Sequence, residues 1–185
     1  MMQGFNIRKK YIILDEEINP IDYLNRSVDF LEKIDEDRLY LKWFTIAFHG
    51  AVSSFIIMKL SKINSQQIFI DSKTNLHPKE RRLVDLKSAY KLLKSKASMD
   101  GNQYKTNGKQ DACINELIDQ LRNQLIHFKP MVWAAEPWYF AESCLPLVDI
   151  IRFCIDDYKF RNFEKSKINQ KLEELEKLLK KYITI

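Results

Sequence analysis

The chain has 185 residues, of which 45% are hydrophobic and 30% are charged, and it contains only four glycines and five prolines. This length predicts one domain with a sizeable core, and the scarcity of glycine and proline favours long helices over a β-sandwich or barrel. No secretory signal or membrane span is expected, because residues 1–10 are polar and basic and the uncharged run between Lys42 and Lys59 is short and polar in its middle. The sequence therefore predicts a cytoplasmic protein.

Charge is unevenly spread along the chain, whose formal net charge is +5. Residues 15–37 hold nine acidic and two basic side chains, whereas residues 79–109 hold nine basic and three acidic ones. The basic segment precedes the helix with the candidate site, so it is suited to attract a polyanion such as RNA. A solvated, lysine-rich helix face explains it equally well.

Five or six helices are predicted from the spacing of apolar residues. The first begins at Asn19-Pro20, a capping residue followed by proline at the first helical position. The second is apolar almost all round, which predicts the central helix. The predicted helices span about residues 19–34, 36–61, 78–98, 110–128, 143–160 and 164–182. We therefore predict an all-α, single-domain helical bundle over residues 1–185, with a core from about 19 to 160 and a C-terminal helix at about 164–182.

Three details of this bundle can be predicted as well. Gly50, Ser53 and Ser54 share a face of the second helix, which would let a neighbouring backbone approach closely. Residues 11–14 and 67–71 are β-branched and aromatic, so they are candidates to pair as a small β annex. The last helix has heptad-like spacing over only two heptads, so it is expected to dock on the bundle.

An aromatic connector follows the fourth helix and contains Trp133, Trp138, Tyr139 and Phe140. These rings are expected to pack across the end of the bundle. Stacking on nucleic-acid bases is the alternative function for them.

The fourth helix carries the most informative segment, residues 122–128. The apolar residues before and within it recur at helical spacing and predict a stripe that faces the core: Ile114, Leu117, Ile118, Leu121, Leu125 and Phe128. In a continuous α-helix, Arg122 lies about 90° to one side of this stripe and His127 about 130° to the other. Asn123 points nearly opposite, so all three polar side chains lie on the outer arc.

Ile126 lies among these polar residues, where an apolar side chain is out of place. Its position predicts that another surface covers the outer face, and a second copy of the chain is the economical candidate, since two-fold homodimers are the commonest oligomers. Arg122 and His127 are about 140° apart on one helix, so two copies would bring both pairs into one cleft.

Arginine, asparagine and histidine at this spacing are suited to metal-free chemistry on a phosphodiester. His127 can move a proton near neutral pH, and Arg122 offers a charged, planar fork that matches a phosphate. Asn123 can hold the histidine or the substrate. Together they can deprotonate a ribose 2′-OH and stabilise the charge that builds on the adjacent phosphate.

The Arg122-Asn123-x-x-x-His127 pattern, with its aliphatic residues and the Phe128 that follows, resembles the motif of the HEPN superfamily. Residues 42–60 and the tryptophan-rich connector also look like parts of uncharacterised bacterial HEPN-like proteins, and the resemblance covers about residues 20–160. It implies a dimeric bundle of four or five helices that cuts RNA without a metal and leaves a cyclic phosphate.

By that resemblance, Arg122 binds the phosphate and stabilises the transition state, Asn123 gives polar support, and His127 is the general acid and base. The resemblance also implies a toxin–antitoxin or defence setting, with an antitoxin or a nucleotidyltransferase as a partner. The alternative is a non-catalytic helical module that binds RNA or a protein through the same face.

His49, at the polar border of the second helix, is expected either to be a packing residue or to border the same cleft. No metal or other cofactor is expected, because the three histidines lack HxxH or HExxH spacing and no glycine-rich phosphate loop is present. The three cysteines follow no metal or disulfide spacing and are predicted to be free thiols.

Overall fold

The structure of this chain is a computed structural model, which describes residue 12 and residues 14–70, 81–127 and 132–183. Six helices in these ranges form an all-α bundle, which confirms the predicted fold class. We number them α1 (Ile18–Glu32), α2 (Tyr40–Ile63), α3 (Leu86–Leu93), α4 (108–126), α5 (137–156) and α6 (Lys165–Ile183). Helices α4 and α5 each consist of three consecutive segments that differ in winding.

Helix α2 is the central helix of the bundle, as predicted. Helices α1, α3, α4 and α5 all pack against it, and the rings of Phe44, Phe48 and Phe55 are fully buried. Helix α2 is also long and apolar enough to cross a membrane, yet 61% of its most apolar stretch is buried inside the protein. An apolar surface on every side is what a core helix requires.

Helix α1 lies antiparallel along α2, and Gly50 allows their close approach. A Cβ added at position 50 would lie 2.7 Å from two ring carbons of Tyr23. One turn further along α2, Ser54 Oγ accepts a hydrogen bond from Asn19 Nδ2 at 3.1 Å. The close approach predicted at this face of α2 therefore involves an aromatic ring of α1 and not a backbone.

Helix α1 begins slightly earlier than predicted, at Ile18. Asp15 Oδ1 accepts hydrogen bonds from the backbone N–H groups of Glu17 at 2.8 Å and of Ile18 at 2.7 Å. Asp15 therefore satisfies the free N–H groups at this helix start. The predicted capping role of Asn19 is wrong, because Asn19 lies inside the helix and its side chain binds Ser54.

The fully buried Glu17 joins the start of α1 to the connection between α5 and α6. Its carboxylate accepts hydrogen bonds from the backbone N–H of Arg161 at 3.0 Å and 3.1 Å and from that of Asn162 at 3.3 Å. The Arg161 Nε group donates to it as well, at 3.3 Å. A buried carboxylate is tolerated here because charge-assisted hydrogen bonds surround it.

Replacing Glu17 with alanine is expected to lower the free energy of unfolding by about 2 kcal/mol, because backbone N–H groups lose their buried acceptor. Urea unfolding at pH 7 measures the loss. Glu16→Ala is the matched control, since it removes the exposed carboxylate that pairs with the same Arg161 at 2.6 Å. That control should lose no more than about 0.5 kcal/mol, and equal losses in both variants would contradict the role of Glu17.

The predicted β annex has a different partner from the expected one. Phe69 forms an isolated antiparallel bridge with Leu83, flanked by hydrogen bonds of 2.9 Å from Ile70 N to Arg82 O and from Val84 N to Ile68 O. Of the expected partner segment, residues 11–14, only Ile12 and Leu14 are described, and both are exposed. Among the described residues, the predicted annex is thus reduced to one bridge next to α3.

Helix α3 is shorter than the predicted range of 78–98. It starts after Asp85, whose Oδ1 accepts the backbone N–H of Ser88 at 2.7 Å. Residues 78–80 lie outside the described residues. The bridge at Leu83 uses extended backbone directly before Asp85, so the helix has no room to begin earlier among the described residues.

Helix α5 begins at Pro137, whereas the prediction placed its start near Ser143. Proline suits the first helical position because its missing N–H has no partner there in any case. The helix is α over Pro137–Cys144, 3₁₀ over Leu145–Leu147 and α over Val148–Asp156. Pro146, which lacks an amide donor, accounts for the tighter turn. Three rings of the predicted connector, Trp138, Tyr139 and Phe140, are therefore helical.

Helix α6 packs against α1 and α5, as predicted for a docked helix. Its heptad-like residues are all buried: Ile168, Leu172, Leu175, Leu179 and Tyr182. Near its end, Lys181 Nζ donates to Asp35 at 2.6 Å and the Tyr182 hydroxyl donates to the same carboxylate at 3.3 Å. These contacts tie the end of α6 to the turn between α1 and α2.

Cys113, Cys144 and Cys154 are free and buried, in agreement with the prediction of free thiols. Burial raises the pKa of the Cys144 and Cys154 thiols well above the ordinary range. Neither thiol is therefore ionised at neutral pH, and neither is a candidate nucleophile.

Candidate functional site

The motif helix α4 changes its winding immediately before the motif. It is α-helical over Gly108–Asn115, π-helical over Glu116–Arg122 and α-helical again over Asn123–Ile126. Long π segments are rare, and single π turns occur frequently at functional sites. This one ends on Arg122, the first residue of the motif.

The π segment overturns the directions predicted for the motif side chains. Hydrogen bonds from i to i+5 place about one more residue in each turn, so the residues that follow are turned back by roughly 100°. The angles calculated for Arg122 and His127 on a continuous α-helix are therefore wrong. The predicted apolar stripe is buried at Ile114, Leu117 and Leu121 and half-buried at Ile118 and Leu125, while Phe128 lies outside the described residues.

Arg122 is half-buried at the end of the π segment, and the next residue holds its guanidinium. Arg122 Nη1 donates to Asn123 Oδ1 at 2.9 Å. Asn123 thus orients the arginine, whereas the sequence suggested that it holds the histidine or the substrate. This contact uses one of the five N–H donors of a guanidinium, whose planar fork matches a phosphate.

His49, on the central helix α2, lies close enough to Arg122 for the guanidinium charge to act on it. Burial, and to a lesser extent the charge of Arg122, lower the pKa of His49 to about 4. The imidazole is therefore neutral at pH 7, with one nitrogen that donates and one that accepts. A neutral histidine on α2 is thus within reach of the charge of Arg122, and α2 packs against the π segment that ends at this arginine.

Ile126 and His127 are exposed on the next turn. Ile126 is the last helical residue, and its side chain is 41% exposed. His127 has extended backbone, with φ −94° and ψ 104°, and its N–H donates to Asn123 O at 3.1 Å. The prediction that the helix continues to Phe128 is therefore wrong, and the direction of His127 is set by its own backbone angles.

One lysine of α3 approaches the π segment. Lys87 Nζ of α3 is 4.0 Å from Asp119 Oδ2, which lies one turn before Arg122. Lys87 and Lys91 are both exposed, and residues 81–109 contain eight basic and two acidic side chains. The sequence segment that includes α3 is therefore basic, and its Lys87 reaches the helix that ends in the motif.

The structure thus joins Arg122 to Asn123, places His49 within reach of the Arg122 charge, and leaves Ile126 and His127 exposed on the next turn. Sequence reasoning named all five residues but missed the π winding that positions them. No signal for that winding is present, because the apolar spacing from Ile114 to Leu125 fits an ordinary α-helix.

A scan against protein-family models found no match, and searches of curated proteins and of solved structures found no significant match either. The function must therefore be argued from the side chains of this site.

Proposed function

We propose that this protein is a metal-independent endoribonuclease of the HEPN type that acts as a homodimer. The observation that carries the proposal is the half-buried Arg122, which Asn123 orients at the end of a π-helical segment. A neutral imidazole, that of His49, lies within reach of its charge. An arginine fixed in this way is prepared to bind a phosphate, since part of the entropy of ordering its side chain is already lost.

The chemistry requires a base for the ribose 2′-OH and an acid for the leaving 5′-oxygen. One His127 takes the 2′-OH proton while the 2′-oxygen attacks the phosphorus. A protonated His127 gives a proton to the 5′-oxygen as the P–O5′ bond breaks, which leaves a 2′,3′-cyclic phosphate. Arg122 stabilises the charge on the phosphate in the transition state, and His49 borders the site as a neutral group.

A two-fold dimer supplies both histidines. Ile126, which is 41% exposed beside the motif, would be covered by its counterpart in the second copy. The exposed lysines of α3 supply attraction for the RNA backbone, so cleavage should weaken as the salt concentration rises.

The test is cleavage of a single-stranded RNA of mixed sequence in excess EDTA. Arg122→Ala and His127→Ala are each expected to lower the rate roughly a hundredfold. Arg26→Ala, which removes an exposed arginine of α1, is the matched control and should cleave like the wild type. The products should carry cyclic phosphates, and RNA with 2′-O-methyl groups should stay intact.

Equal rates for the wild type and both motif variants would remove these residues from the mechanism. RNA binding without cleavage by the wild type would instead favour the non-catalytic module. Sedimentation of Ile126→Asp tests the dimer separately: a monomeric variant and a dimeric wild type support it, and two identical monomers contradict it.

A further inference from the structure

A second candidate binding surface lies at the start of α5. The indole of Trp138 is 46% exposed and forms a wall of a groove of about 320 Å³. The other walls come from the turn after α1 and the end of α6, which includes Tyr182. The volume is at the small end for ligand pockets, which suits one side chain better than a whole cofactor.

Carboxylates flank the indole in this groove. Glu136 Oε2 accepts a hydrogen bond from Trp138 Nε1 at 2.6 Å, which fixes the orientation of the ring. Glu142 lines the same groove. Within the described ranges, neither Glu136 nor Glu142 forms an ion pair with a lysine, arginine or histidine. Asp35 and Arg38 also line the groove, and Asp35 is paired with Lys181 at 2.6 Å and with Arg38 at 3.8 Å.

An exposed aromatic face beside two carboxylates that have no cationic partner among the described residues is complementary to a cation. Indole is the best of the aromatic faces for a cation, and a guanidinium can stack on it while it donates two parallel hydrogen bonds to a carboxylate. Glu136 has an additional explanation, since a carboxylate at a helix start is favoured by the helix dipole. Glu142 lies beyond the first turn of α5, where the dipole gives no such benefit.

We propose that this groove binds an arginine side chain of a partner polypeptide. The guanidinium stacks on Trp138 and donates to Glu142, with Glu136 at the edge of the indole. The proposal is independent of the ribonuclease function, because it concerns α5 and α6 and none of the motif residues.

The test uses the whole protein labelled with ¹⁵N and a blocked Gly-Arg-Gly peptide. The three indole N–H signals, assigned by substituting each tryptophan with phenylalanine, report on Trp43, Trp133 and Trp138 separately. We expect a saturable shift of the Trp138 signal in the millimolar range and little response from Trp43, which is also exposed. The matched peptide with citrulline, which has the same shape without the charge, should cause no such shift.

Glu142→Gln should weaken arginine-peptide binding at least about threefold, whereas Glu173→Gln, an exposed carboxylate of α6, should leave it unchanged. Equal shifts with the arginine and citrulline peptides would overturn the proposal, as would binding that Glu142→Gln leaves unchanged. A Trp43 signal that responds as strongly as that of Trp138 would also overturn it.

Discussion

Asp157→Ala is expected to lower the free energy of unfolding by about 2 kcal/mol, because it leaves the buried ammonium group of Lys59 without its carboxylate, which is itself 55% exposed and partly screened by water. The Lys59 side chain is only 3% exposed, although it belongs to the central helix α2. Its Nζ donates to Asp157 Oδ1 and lies 5.2 Å from the centre of the Phe153 ring. The Phe153 ring attracts the ammonium group more weakly than the carboxylate of Asp157 does, so it does not replace the lost ion pair.

A milder effect is expected when the charge itself is removed. Lys59→Met keeps the length of the side chain without the ammonium group, so it should change the free energy of unfolding by no more than about 1 kcal/mol. Asp157→Ala should then have little further effect in the Lys59→Met background. Urea unfolding of the four proteins at pH 7 gives the coupling energy.

Asp156→Ala is the control for this pair. Asp156 precedes Asp157 in the chain, and its side chain is 86% exposed and paired with Lys165, so its loss should cost less than about 0.5 kcal/mol. The hydrogen bond from Lys59 holds the pKa of Asp157 below its usual value. The stabilisation by Asp157 is therefore present above pH 4 and is lost as the pH falls through the lowered pKa. Equal effects of the two alanine variants at pH 7 would contradict the buried-charge argument.

The stability of the wild type should fall between pH 7 and pH 5 by about 2 kcal/mol because of His49. Its pKa is lowered to about 4, chiefly by burial, whereas an unfolded histidine titrates near 6.5. Between these two values the unfolded chain binds a proton that the folded chain does not. Stability therefore rises with pH across this window and is lost as the pH falls.

His49→Gln should remove most of this pH dependence, since glutamine does not titrate. Asn25→Gln is the control, because it changes an exposed side chain that does not titrate and should leave the slope as in the wild type. The measurement is the free energy of urea unfolding at pH 7, 6 and 5. Equal slopes for the wild type and His49→Gln would show that His49 is not held neutral by the fold.

The sequence predicted the bundle well because helix periodicity and burial are both encoded locally. The apolar surface all round α2 predicted a central helix, and the buried stripe of α6 predicted a docked one. The same reasoning placed α5 too late, since the aromatic residues after Pro137 suggested a connector when the proline itself marks a helix start. A proline that can start a helix and aromatic residues that suggest a connector are competing local signals, and tertiary packing determines which structure forms.

The candidate site was harder to predict than the fold. The residues Arg122, Asn123, Ile126 and His127 could be named from their pattern, and His49 from its border position on α2. Their directions could not be predicted, because the π segment is invisible in the apolar spacing. The hydrogen bond from Arg122 to Asn123 and the reach of the Arg122 charge to His49 are visible only in the structure.

In an ordinary α-helix, the sequence of residues fixes the direction in which each side chain projects. The π segment removes this link, because it changes the directions of the residues that follow it. A π turn accommodates about one residue more than an α turn of the same length. Loss of a single exposed residue such as Gln120 would allow ordinary α winding without changing any motif residue. Relatives of this chain could therefore keep the arginine–histidine motif intact and still differ in the surface to which it points, through chain length alone.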